Sequence, residues 1–202
     1  MQAIPIKFNP IIKLLTFSDA FIWGSYHMMN ALIAIYLQEK FGEGAVSIIS
    51  IGFAIYLVSR SILQIPIAEI LDKHKSYIDE TIVISLSCFL VGICIYLLVF
   101  VTEPWHVYVI QAFFGLAIAL NLPAWRKTMA RFIDKGYEAT EYTIYDIINS
   151  LFIAVLTAIG GYVVSSYGGF IALFIIAGTI SIIGSFITLY LLKNKRIHHE
   201  YK

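Results

Sequence analysis

VSIISIGFAIYLVSRSILQIPIAEIL, residues 46–71, is an almost unbroken apolar run with Arg60 near its middle and no second charge until Glu69. A bilayer core about 30 Å thick needs about 20 such residues in a helix, so this stretch is long enough to cross it. Five more runs of the same kind surround it: Leu14–Leu37, Thr81–Val101, Val107–Pro123, Tyr142–Ser165 and Phe170–Leu192. A buried helix of a soluble protein explains one run of this kind. It does not explain six in succession in a chain of 202 residues that is 59% hydrophobic. The predicted fold class is an all-α membrane protein with six transmembrane helices. What lies between the runs is too short for a soluble domain, so residues 1–202 read as a single transmembrane domain.

Charge gives the orientation. With the N-terminus inside, the inner segments hold Lys7, Lys13, Lys73, Lys75, Arg126, Lys127, Arg131 and Lys135, and the tail adds Lys193, Lys195, Arg196 and Lys202. Of 14 basic residues only Lys40 falls outside, and Arg60 lies within a span. The positive-inside rule puts both termini in the cytoplasm of a multi-pass protein in a cytoplasmic-type membrane. The first run carries Asp19 and His27, is too long for a signal peptide and has no small-residue cleavage site.

Several function classes have no support. The net charge of +1 offers no ground for a nucleic-acid partner. Cys88 and Cys94 have neither metal-ligand nor redox spacing and read as small apolar filler. His198-His199 reads as a solvated pair. There is no metal-ligand cluster, phosphate loop or nucleophile constellation, so neither a cofactor nor catalysis is expected.

The polar residues inside the runs are the informative ones. Asp19, Trp23, Tyr26, His27 and Asn30 follow one another at helical spacing along one face of the first span. Lipid cannot satisfy such a stripe, so it faces a cavity or another helix. It is either a substrate or proton pathway, with Asp19 and His27 as the titratable groups, or an interhelical hydrogen-bond patch. Arg60 and Gln64 share a face of the second span, for binding or coupling or for a structural ion pair. Gln111, Gly115 and Ala119 recur every four residues on the fourth span as a narrow groove, with Asn121, Pro123, Trp125 and Arg126 at its inner end. Tyr142, Tyr145, Asp146 and Asn149 make a polar face on the fifth; Asp146 is a proton-coupling candidate or a gate partner. Ala154, Thr157, Ala158, Gly160 and Gly161 predict that the fifth span packs against another helix. The third and sixth spans have few polar residues and read as peripheral, lipid-facing helices.

The inner end of the second span, Ala68-Glu69-Ile70-Leu71-Asp72-Lys73-His74-Lys75-Ser76, resembles a motif of the major facilitator superfamily: Gly, any, Leu, any, Asp, basic, any, Gly, basic. The Asp and the following basic residue match; the glycines do not. The fourth span from Gln111 to Trp125 is similar to that family's fourth or tenth helix, with Gln111 where an arginine is often found. Gly160-Gly161 with Tyr167-Gly168-Gly169-Phe170 is similar to the end of its fifth or eleventh helix, without the Gly-Pro pair of antiporters. The resemblance implies one six-helix half of such a transporter, built as a 3+3 inverted repeat. Phe41-Gly42 precedes the second span much as Lys135-Gly136 precedes the fifth.

Further expectations follow from the resemblance. The first and fourth helices line a cavity, and the second and fifth pack across an interface with a second copy of the chain on a twofold axis along the membrane normal. The expectation is a transporter of a small organic solute, working by alternating access as a homodimer and proton-coupled through Asp19, His27 or Asp146. Trp23, Tyr26, His27, Asn30, Arg60, Gln64, Gln111, Trp125, Tyr145 and Asn149 are the cavity candidates, and Asp72, Lys73 and Arg126 form a cytoplasmic gate. A chain starting at Met1 and ending in a basic tail suits a half-sized protein. The competing readings are a subunit paired with a different half, a non-transporting membrane scaffold or receptor, and a fragment of a longer chain.

Overall fold

The computed structural model describes residues 10–73 and 77–190. Lys7, Lys75, the His74–Ser76 end of the motif, His198-His199 and the basic tail lie outside the described residues. The helices are α1 (Pro10–Asn30), α2 (Ile33–Phe41), α3 (Ala45–Lys73), α4 (Tyr77–Leu97), α5 (Pro104–Phe132), α6 (Glu138–Val163) and α7 (Gly169–Tyr190). Short 3-10 turns follow α2 and α4, and a π turn, Val164–Gly168, precedes α7. Among the described residues there is no strand. Five helical stretches are long and apolar enough to cross a membrane: Ile11–Lys73, Asp79–Phe100, Pro104–Phe132, Glu138–Ser166 and Gly169–Tyr190. The first is 63 residues long and holds α1, α2 and α3.

The expected single helix over Leu14–Leu37 is broken. Ala31 N–H still bonds His27 O at 3.0 Å, but Leu32 N–H turns to Met29 O, three residues back, also at 3.0 Å. That tightening ends α1 at Asn30 without a proline. The turns are set by local chemistry. Gly42 and Gly136 sit at φ +58° and +87°, a region that costs a side chain energy but not glycine, and each lies in the turn just before a long helix. Pro104 opens α5, where its missing N–H is not needed, and His106 Nδ1 accepts the N–H groups of Thr102 and Glu103, each at 3.1 Å.

Without a hydrophobic drive in lipid, these helices associate through close backbone approach and interhelical hydrogen bonds. α4 and α7 pack antiparallel. A Cβ on Gly92 would lie 2.9 Å from Gly178 O, and the hydroxyls of Ser85 and Ser185 pair at 2.9 Å. Ser181 Oγ donates to Cys88 O at 2.8 Å, and Tyr96 pairs with Thr179 at 2.6 Å. α3 and α5 run parallel: Gly115 admits Ser59 and the Tyr56 carbonyl, and Ser59 Oγ donates to Ala112 O at 2.9 Å. α1 and α6 also run parallel, Gly24 against Leu156 and Phe152, Gly160 against Met28. α5 packs antiparallel on α4 through Asn121 Nδ2 to Ser87 Oγ at 3.1 Å, and α7 antiparallel on α1 through Gly184 against Phe21 and Ser18.

One expectation needs correction here. The third span, α4, is not peripheral: Ile84, Ser85, Ser87, Cys88, Val91, Cys94 and Ile95 are buried, because small residues fit it between α7 and α5. The helices with the most open surface are α3 and α6. On α6, Gly160 packs closely, whereas Ala154 and Ala158 are exposed and a Cβ on Gly161 would meet nothing within 4 Å. Cys88 and Cys94 are buried free thiols, as filler would be.

Candidate functional site

α1, α5 and α6 bring one predicted set of residues into contact. Asp19 is 1% exposed, and its Oδ2 accepts a hydrogen bond from the Tyr145 hydroxyl across the α1–α6 contact. The Trp23 side chain reaches the same carboxylate from one turn further along α1. The Trp125 ring of α5 lies 4.6 Å from the Tyr145 ring, and Asn149 Nδ2 donates to Tyr145 O at 3.3 Å. Tyr145 therefore touches Asp19, Trp125 and Asn149 together.

This cluster also has unmet demands. Asp19 Oδ1, Trp125 Nε1 and Asn149 Oδ1 are buried without a hydrogen-bond partner. Leaving such a group unmade costs about 1–3 kcal/mol, more when it is charged. No described cation pairs with Asp19; the ion pairs among the described residues are those of Asp72 and Glu80. A charge buried in this way is held at a cost of several kcal/mol unless something neutralises it.

Trp23 joins this cluster to a second one. Its ring lies 6.0 Å from both Tyr26 and His27. Tyr26 stacks on Tyr56 of α3 at 6.5 Å and meets Phe114 of α5 edge-on at 5.8 Å. Arg60 Nη1 donates to Tyr56 OH at 3.5 Å. Tyr26 is buried, Trp23, His27, Arg60 and Gln64 are half-buried, and Asn30 is exposed at the end of α1. The polar stripe therefore borders open space rather than being sealed inside the bundle. Gln111 stands apart, over Gly52 in the α3–α5 contact, 3.3 Å from where a Cβ would be. At Gln111 and Gly115 the expected groove is filled by α3, and Ala119 is buried.

A third set lies where α3, α4 and α5 meet at the Lys73 end. A groove of about 580 Å³ is lined by Gln64, Glu69, Asp72, Pro123, Arg126 and Lys127 among others. Asp72 has a 78% exposed side chain 3.8 Å from Lys127 Nζ; Lys73, Arg126 and Asp146 are exposed. The strongest electrostatics there come from residues that sequence reading passed over. Glu80 of α4 is 1% exposed and takes Arg131 at 2.8 Å, Lys127 at 3.2 Å and the Thr128 hydroxyl at 3.2 Å. Lys127 also donates to Leu71 O at the C-terminal end of α3, where a cation complements the helix dipole. The signal available was an acidic pair, Asp79-Glu80, just before the third span, with a basic stretch at the end of the fourth. Among the described residues no cluster could hold a metal ion.

A bundle of long apolar helices with polar groups at membrane depth is an integral, multi-pass membrane protein. The family model of the Major Facilitator Superfamily matches residues 14–202, and the chain belongs to that family. It is a family of membrane transporters, so a small solute and the lipid bilayer are its partners. No curated protein and no solved structure matches the chain.

Proposed function

We propose that the chain is a six-crossing half-transporter that moves a small organic solute by alternating access as a homodimer, coupled to protons, with both termini cytoplasmic and residues 1–202 forming one domain. The observation that carries the reading is the continuous polar and aromatic band from Arg60 through Tyr56, Tyr26, His27 and Trp23 to Asp19, Tyr145, Trp125 and Asn149. It crosses four helices at membrane depth, borders open space, and ends in polar atoms with no partner.

Six crossings and the inverted repeat draw support from helix direction. α1, α4 and α6 share one direction, and α3, α5 and α7 the other, so direction alternates along the chain. Exchanging α1 with α5, α3 with α6 and α4 with α7 turns the α1–α6 contact into α3–α5 and the α1–α7 contact into α4–α5, and leaves α4–α7 unchanged. Gly42 before α3 and Gly136 before α6 are the matching left-handed turns.

The homodimer is supported by what α3 and α6 leave open. Arg60 and Gln64 on α3 and Asp146 on α6 stand among exposed apolar residues such as Ile62, Ile65, Leu151 and Val155. Lipid satisfies the apolar residues but not the polar ones, so a second copy that encloses water over them resolves the conflict. In that assembly Asp72 caps the partner's α6 N-terminus and latches one state, a carboxylate–dipole contact worth about 0.3–1 kcal/mol when exposed. Asp19 and His27 carry the coupling proton; Asp146 lines the gate.

Proteoliposome uptake under an imposed pH gradient tests the reading, with the solute found by a thermal-shift screen. Uptake must follow the gradient, and Asp19→Asn must uncouple it. Full proton-driven uptake in both Asp19→Asn and His27→Ala would remove the coupling assignment, and absence of uptake for every stabilising solute would remove transport.

A further inference from the structure

We propose that Arg60 binds the carboxylate of a small organic acid whose apolar or aromatic body lies against the rings beside it. This rests on the transporter reading above and adds to it the chemical class of the solute. At about 1.5 Å of rise per residue, Arg60 lies about 20 Å from either end of α3. Its side chain cannot reach interfacial water from there, as a cation near a helix end does. Its charge cannot be shed either, because a guanidinium does not deprotonate in proteins.

The surroundings leave that charge unmet. A guanidinium carries five N–H donors. Among the described residues Arg60 has one acceptor, the Tyr56 hydroxyl, at 3.5 Å, the far limit of such a bond. The ion pairs among the described residues are those of Asp72 and Glu80, and neither carboxylate reaches Arg60. Glu69, the nearest acidic residue on α3, lies about 13 Å further along the axis. The approach is open, since Arg60 is half-buried. The groove of about 580 Å³ that starts at Asp72 and Arg126 climbs α3 past Glu69 and Ile65 to Gln64 and Ser61, next to Arg60.

Charge and shape together select the ligand. A neutral polyol fills N–H groups without compensating the cation, and an ammonium ion is repelled by it. A phosphate monoester carries nearly two charges at neutral pH, more than one guanidinium offsets. A carboxylate matches the single charge, and its two oxygens fit the planar fork with parallel N–H···O bonds. The spacing along α3 supplies the rest. Phe53, Tyr56, Arg60 and Gln64 follow one another at three and four residues, so they share one stripe. The Phe53 and Tyr56 rings stack at 5.7 Å, and Tyr56 stacks on Tyr26 of α1 at 6.5 Å. This row of rings runs up to the guanidinium on one side and the Gln64 amide stands on the other, which suits an acid with an apolar body. An anionic lipid shares the charge but carries it in the headgroup layer, not at the depth of Arg60.

The test uses the full chain in phosphatidylcholine nanodiscs and isothermal titration calorimetry with benzoate, phenylpropionate and hexanoate, each against its own amide. The acids, with pKa values near that of a glutamate side chain (about 4.3), are charged at neutral pH. At least one acid should bind at least about tenfold tighter than its amide, through two charge-assisted bonds. Arg60→Gln should lose that preference and keep the parental melting point. Arg60→Lys, a second variant that keeps the charge and loses the fork, should retain the preference with an affinity weakened about severalfold. Equal affinity for acid and amide, no binding of any of the three acids, or an unchanged preference in Arg60→Gln overturns the inference. A detergent-corrected mass that falls to monomer in both Arg60→Gln and Asp146→Asn overturns it too, because the cation is then an ion pair between copies. The transporter reading is judged separately, by uptake of any solute and by labelling of a cysteine at residue 27, and survives if those succeed while the acids are ignored.

Discussion

The Tyr145 hydroxyl donates to the Asp19 carboxylate from 126 positions along the chain, joining the polar faces of α1 and α6. The Trp23 side chain also reaches this carboxylate, and Oδ1 is left without a hydrogen-bond partner. Tyr145→Phe removes the hydroxyl donor, which should cost about 1–3 kcal/mol in the folded protein. Asp19→Asn removes the buried charge instead. Thermal unfolding in detergent should therefore rank Asp19→Asn at or above the parent and Tyr145→Phe below it, while uptake no longer follows the pH gradient in Asp19→Asn despite its stability.

Glu80 is the opposite case, a buried carboxylate fully matched by Arg131, Lys127 and Thr128. Glu80→Ala leaves Arg131 without its counter-charge and Lys127 with the more distant Asp72. Breaking a buried pair from one side costs roughly 3–5 kcal/mol, so its melting point should fall further than for any change at exposed Asp72. A melting point unchanged in Glu80→Ala would mean that the α3–α4–α5 staple carries little of the stability.

Small residues on two helices should separate sharply. A methyl at Gly92 would sit 2.7 Å from Ile182 Cγ1 and 2.9 Å from Gly178 O, and the backbone oxygen cannot move aside. Gly92→Ala should destabilise by about 1–3 kcal/mol through overpacking. Gly161→Ala meets nothing within 4 Å and should leave the melting point of a monomer unchanged. A detergent-corrected mass on Gly161→Leu adds the dimer test: a shift toward monomer places that side of α6 in the interface between copies.

Asp72→Asn removes the charge proposed to latch a partner's α6. Its effect should be on conformational equilibrium rather than folding, because Asp72 is open and only 3.8 Å contact to Lys127 is lost. Cysteine accessibility from the cytoplasmic side should rise in Asp72→Asn, with the melting point within about 0.5 kcal/mol of the parent, as for other exposed sites.

Much of this was legible in the sequence because it depends on local spacing. The apolar runs mark the helices, and Asp19, Trp23 and His27 share a face because three and four residues make a turn. That Asp19 meets Tyr145 was not legible, since nothing local ties positions 126 apart. The break after Asn30 has no proline to announce it. α4 read as peripheral because Ser85, Ser87 and Cys88 look apolar on average, while their hydroxyls and thiol fit a tight helix contact. Glu80 escaped notice because it stands just ahead of the third run, where a carboxylate looks solvated; only the fold reveals that Arg131 and Lys127 close over it.

The most direct test of a water-filled path beside Asp19 is thiol labelling at residue 27. With Cys88 and Cys94 replaced by alanine and His27 by cysteine, a membrane-impermeant thiol reagent should label residue 27 in proteoliposomes, and a stabilising solute should change the labelling rate several-fold. A cysteine at 27 that never reacts from either side, in protein of parental stability, would contradict alternating access through this face.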